Sequence, residues 1–140
     1  MLMTPAKLIQ ESDMYNAIFV GFGGFFGAVF RYALGGYVHT LTKHIPFYFS
    51  TLTVNVFGCF FIGALSQIFE KQIKINPQIE LFFMVGLLGA FTTYSTFSND
   101  TLNLFREQRV ILSMLNIFSH ISLGLAGVYF GRNMVKIILK

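Results

Sequence analysis

Charge is scarce in this 140-residue chain: Asp, Glu, Lys and Arg make up 11% of it, against about 25% in an ordinary soluble domain. A water-facing surface cannot be covered with so little. The 54% hydrophobic content and mean hydropathy of +0.64 point instead to lipid as the solvent. Trp is absent and Cys occurs once, at Cys59. A lone thiol excludes an intrachain disulfide and any cysteine-based metal site; inside an apolar run it reads as a small packing residue. Eighteen Phe suit lipid contact or a tightly packed bundle. The net charge of +4 comes from basic residues standing singly at span ends. No Lys/Arg stripe forms, so nucleic acid is not an expected partner. The carboxylates Glu11, Asp13, Glu70, Glu80, Asp100 and Glu107 fall in the tail or near span ends. No acid pair, Ser/His/Asp set or His/Cys cluster assembles at depth, and the protein is not expected to be an enzyme.

What is present is apolar and long. About 20 apolar residues cross a hydrocarbon core, and four segments qualify: 16–38, 49–69, 79–104 and 111–138. Residues 1–13 form a tail, compatible with an interfacial helix, and 14–140 form one membrane domain. The polar breaks at 40–46, 70–77 and 106–109 are short, so neighbouring helices run antiparallel. The first apolar run starts late and lacks a basic leader, which disfavours a cleaved signal peptide. With both termini on one side, that side carries Lys7, Lys71, Lys74, Arg132, Lys136 and Lys140, against Lys43, Arg106 and Arg109 opposite. The asymmetry favours cytoplasmic termini by a modest margin.

Small and polar residues recur at helical spacing. Gly23, Gly27 and Arg31 do so in the first span; Thr51, Asn55 and Cys59 in the second; Ser113, Asn116, His120, Gly124, Gly127 and Gly131 in the fourth. Such faces let helix backbones approach in lipid, and helix contact is the favoured role of the glycines. Arg31 lies within a span, where an Arg faces a cavity or snorkels to the interface. Asn55 near mid-span can donate to an anion or bond a neighbouring helix, and Asn116 and His120 pose the same choice.

The segment Gly89-Ala90-Phe91-Thr92-Thr93-Tyr94-Ser95-Thr96-Phe97-Ser98 is the most informative. Unpaired hydroxyls in a bilayer must find protein partners or line a wet path. Gly86 and Gly89 permit a break at mid-membrane, whose freed carbonyls suit a hard cation such as Na⁺. Tyr94 and Phe97, three apart, share a face, and the positive edge of an aromatic ring attracts an anion. Hydroxyls interleaved with rings are expected of a conduit rather than of a plain core.

Three motifs in order carry a resemblance that covers nearly all of the chain beyond the tail. Gly23-Gly24-Phe25-Phe26-Gly27-Ala28-Val29-Phe30-Arg31-Tyr32 is similar to GGxxGAxxRY. Thr51-Leu52-Thr53-Val54-Asn55-Val56-Phe57-Gly58 is similar to TLxVNxxG, and Gly86 to Phe97 to GxxGxxTTFSTF. The chain thus resembles the Fluc (CrcB-type) fluoride channels. The resemblance implies an all-α, four-span integral membrane protein of the bacterial inner membrane, with its third helix broken, assembled as an antiparallel dual-topology homodimer. It also implies a structural Na⁺ at the dimer interface on the carbonyls of Gly89 and Thr92. The fluoride pore would be lined by Asn55, Tyr94, Phe97, Ser95 and Thr96 with Arg31 in its vestibule. In the fourth span Asn116, Ser119 and His120 are candidates. Tyr94 and Ala90 stand where the family usually has Phe and commonly has a second Gly. A proton-coupled multidrug exporter would need a membrane-embedded acid, and none lies between residues 14 and 69. A non-transporting scaffold would use the polar stripes for packing alone.

Overall fold

The computed structural model describes residues 5–71 and 75–139, with side chains from Asp13 onward. Lys7, Lys74 and Lys140, counted above in the charge asymmetry, lie outside these bounds for their side chains or altogether. All regular structure among the described residues is helical. Helix α1 runs Pro5–Thr42 and α2 Phe49–Lys71. The third span is composite: α3 Pro77–Glu80, a π-helical stretch Leu81–Leu88, α4 Gly89–Phe91 and α5 Tyr94–Arg106. Helix α6 is Val110–Ile138. Four segments, Asp13–Thr42, Phe49–Lys71, Pro77–Arg106 and Val110–Ile138, are long and apolar enough to cross a membrane.

Each boundary has a local cause. Pro77 opens α3, where its missing N–H is no loss, and the Asn76 side chain accepts from the Gln78 N–H at 3.0 Å. At the other end of the span the chain closes in a left-handed cap: Gln108 N–H donates to the Phe105 carbonyl at 3.0 Å and Arg109 N–H to that of Leu104 at 2.9 Å. Gln108 takes φ 59° there, the one positive-φ non-glycine among the described residues, where glycine is the usual occupant. Relief of that conformation outweighs the extra chain entropy of glycine. Gln108→Gly should therefore raise stability by about 0.5–1 kcal/mol, read as a higher melting temperature in detergent.

Two seams hold the bundle. Helix α6 packs along α2, and α1 packs along the π-helical stretch and α4. On α6 the buried residues are Ser113, Asn116, Gly124, Gly127, Gly131 and Val135, so the small-and-polar stripe is the contact face. A Cβ on Gly127 would lie 3.1 Å from the Val56 carbonyl oxygen, and one on Gly86 2.6 Å from that of Val20 and 3.0 Å from Gly23 Cα. These are backbone-to-backbone contacts, the form that helix association takes in lipid.

Helix α1 begins at Pro5, so the stretch expected as a tail is helical where described and continues into the first span. Two expectations need correcting. Gly86 and Gly89 do not open the third span: both lie inside helical segments, and the extended residues are Thr92 (φ −84°, ψ 158°) and Thr93 (φ −150°, ψ 112°). Asp100, placed near a span end, is 6% exposed, and the Thr51 hydroxyl donates to its carboxylate at 2.6 Å.

Candidate functional site

Asn55 on α2 builds the site. Its Oδ1 accepts the Thr93 N–H at 2.8 Å, and its Nδ2 donates to the Thr93 carbonyl at 3.1 Å. One side-chain amide thus replaces the helical partners of an extended residue, satisfying groups that would otherwise be stranded away from water. Thr93 then caps α5, its hydroxyl oxygen accepting from the Thr96 N–H at 3.2 Å. It also lies 2.9 Å from the Thr96 hydroxyl and 3.2 Å from that of Ser95.

The interruption leaves the four carbonyls of residues 89–92 without their helical donors. The Thr93 N–H, which would bond Gly89 in a continuous helix, goes to Asn55; the Thr96 N–H, which would bond Thr92, goes to the Thr93 hydroxyl. Gly89 and Thr92 therefore present carbonyl oxygens without those helical donors, and such hard oxygens fit a hard cation.

Beyond Thr93 the α5 register places Tyr94 and Phe97 together, ring centroids 5.6 Å apart. Phe97 in turn lies 4.4 Å from the His120 ring. Asn55, Thr92, Thr93, Tyr94, Phe97 and His120 line one cavity of about 330 Å³, together with Cys59. Arg31 and Thr96 line a second, of about 250 Å³, and Thr93 borders both. Tyr94 is 81% exposed, and Ser95 and Thr96 are exposed as well, so a single chain leaves this wall open on one side.

The fourth-span candidates separate. Asn116 is fully buried at 0% exposure, with Nδ2 donating to the Thr101 hydroxyl at 2.8 Å. Ser119 is not among the residues lining either cavity. His120 is in the wall. Asn55 makes the interhelical bond that was one of its two readings, with one N–H of its amide to spare. Asp100 and Thr51 were missed as a pair. Their shared signal was the polarity of both positions inside apolar spans, but a carboxylate six residues past Tyr94 looked close enough to a helix end to be solvated.

The chain is similar to known proteins over most of its length. A family model described as "CrcB-like protein, Camphor Resistance (CrcB)" matches residues 18–132. The "Fluoride-specific ion channel FluC" of Elusimicrobium minutum is 46% identical over 120 residues, covering 86% of this chain and 93% of that protein. Its namesake in Ruminiclostridium cellulolyticum is 39% identical over 127 residues, covering 90% and 96%. "Fluoride-specific ion channel FluC 3" of Methanosarcina barkeri is 36% identical over 121 residues, covering 86% and 90%. The family model reaches into all four membrane segments and covers the positions of Asn55 and Thr93, and this chain belongs to the CrcB family.

Proposed function

We propose that the protein is a fluoride-selective channel that lets the ion leave the cytoplasm down its electrochemical gradient and so limits fluoride toxicity. The observation that carries this reading is the Asn55–Thr93 clamp, which holds the Tyr94 and Phe97 rings and a cluster of hydroxyls along one wall, in a chain similar throughout to fluoride-specific channels. Fluoride is small and strongly hydrated, so a path for it must replace water with many donors; hydroxyls, one amide N–H and positive ring edges are such donors. In acid surroundings fluoride enters as neutral HF and ionises inside, trapping the anion. An inside-negative potential then drives it out with about 2.3 kcal/mol per charge per 100 mV.

The open side of the wall favours assembly with a second copy. An inverted copy would bring its own Thr93–Phe97 segment against the exposed Tyr94, Ser95 and Thr96 and enclose the path. The Lys/Arg asymmetry is weak enough to allow insertion in both orientations. In such a pair the extended Thr92–Thr93 step is the mid-membrane break of the third span. The carbonyls of Gly89 and Thr92 from each copy would hold a structural Na⁺, whose charge would fix the two breaks to each other. Arg31, which lines the second cavity with Thr96, would stand in the vestibule, where a fixed positive charge concentrates the anion.

Purified protein in liposomes, with a fluoride electrode outside, tests the reading. Fast fluoride release that requires no proton gradient supports the channel and disfavours a proton-coupled exporter. No release would leave a packing scaffold. Phe97→Ile removes the ring edge from the wall while keeping an apolar side chain on α5; its release should fall to the rate of protein-free liposomes with the oligomer intact by size-exclusion chromatography.

A further inference from the structure

We propose that His120 gives this pore a titratable anion contact, its Nε2 binding fluoride when protonated, so that the channel holds the ion more tightly as pH falls. The inference rests on the channel reading. The His120 Nδ1 lies 2.9 Å from the Asn116 carbonyl oxygen. A carbonyl only accepts, so Nδ1 carries the proton and the tautomer is set. The exchangeable position is therefore Nε2. That atom is buried and has no hydrogen-bond partner among the described residues, while its ring lies on Phe97 and borders the cavity shared with Asn55 and Tyr94.

A buried polar atom without a partner requires an explanation. Asn116 Oδ1 is orphaned too, but an oxygen acceptor cannot bind an anion. The imidazole differs because one proton converts its bare lone pair into a cationic donor, and no protein acceptor is in place to take that N–H. A small anion in the adjoining path is such an acceptor, and the bond would be charge-assisted. The titratable groups facing His120 are Asp100 and Tyr94 from α5 and Cys59 from α2. Of these, Asp100 is the carboxylate, and it must be separated experimentally from the histidine.

The test measures apparent fluoride affinity from release by reconstituted full-length protein at symmetric pH, with leakage of HF through protein-free liposomes subtracted at each pH. Between about pH 7.5 and about pH 5.5, the window in which an imidazole titrates, affinity should rise by about threefold or more. His120→Gln keeps an N–H but cannot titrate, and its ratio between the two pH values should fall to about one; Asp100→Asn should keep the rise. A flat wild type, a persisting rise in His120→Gln or a lost rise in Asp100→Asn would each overturn the assignment. The wild-type protein offers an independent measurement should a variant misfold. By linkage, added fluoride must move the His120 titration, followed by ¹⁵N NMR of its ring, towards higher pH, and an unmoved titration ends the proposal. Absence of fluoride release at every pH would instead end the channel reading itself.

Discussion

Asn55→Asp should reduce fluoride release to that of protein-free liposomes, because the substitution breaks the site in two ways at once. The carboxylate can still accept the Thr93 N–H, but its second oxygen replaces a donor opposite the Thr93 carbonyl, where the amide nitrogen now sits at 3.1 Å. An attraction becomes a repulsion. A lost hydrogen bond to a buried carbonyl costs about 1–3 kcal/mol, and a partly buried charge adds to it. The extended pair Thr92–Thr93 then loses the group that holds it open, and with it the aim of Tyr94 and Phe97. The new negative charge also repels the ion at the wall. Asn55→Ala separates the effects, since it unclamps Thr93 without adding charge. Fluoride-electrode traces of both variants decide the matter: wild-type release from Asn55→Ala would show that the clamp is dispensable.

The second large effect should come from the seams. In Gly131→Val the new Cβ would meet the Phe60 carbonyl oxygen and, at 2.9 Å, the Ala64 nitrogen. In Gly27→Val it would meet the Leu87 carbonyl oxygen and, at 3.0 Å, the Phe91 nitrogen. The obstacles are backbone atoms of a packed helix, which cannot rotate away as a side chain would. Overpacking ordinarily costs about 1–3 kcal/mol, and with no soft neighbour to yield the cost should reach about 3 kcal/mol or more. Neither variant should elute as a folded, monodisperse species from detergent. Gly36→Val is the matched control, because a Cβ there meets nothing within 4 Å. A monodisperse Gly131→Val would mean that α2 and α6 can separate without penalty.

The two features differ in how readable they were from sequence. Helix periodicity put Gly124, Gly127 and Gly131 on one face, and that face is the buried one, since in lipid a stripe of small residues has little to gain except a close neighbour. The rings of Tyr94 and Phe97 also meet as their three-residue spacing requires. The position of the helix interruption was not readable in the same way. Glycine is the usual suspect because it tolerates unusual backbone, yet Thr92 and Thr93 adopt ordinary extended conformations that any residue can take. What selects them is a bond from Asn55, 38 positions away, a tertiary fact with no local signature. Two extended residues also reset the helical phase of everything after them. Asp100, expected near a span end, turns inward onto Thr51 instead of out to water. The carbonyls of residues 89–92 lose their helical donors at the same interruption.

Helix α1 has a practical corollary. Its 38 residues extend about 57 Å at 1.5 Å per residue, whereas hydrocarbon and headgroups together measure about 40–45 Å. The segment Asp13–Thr42 is itself long enough to cross that slab, so an α1 standing along the bilayer normal would carry the turns before Asp13 past the headgroups as a short stalk. The chain's single thiol, Cys59, is on a different helix within the span and half-buried. A reporter thiol placed on the stalk would thus be addressable by a membrane-impermeant reagent from one aqueous compartment only. The sidedness of each inserted copy can be counted that way without disturbing any residue of the pathway.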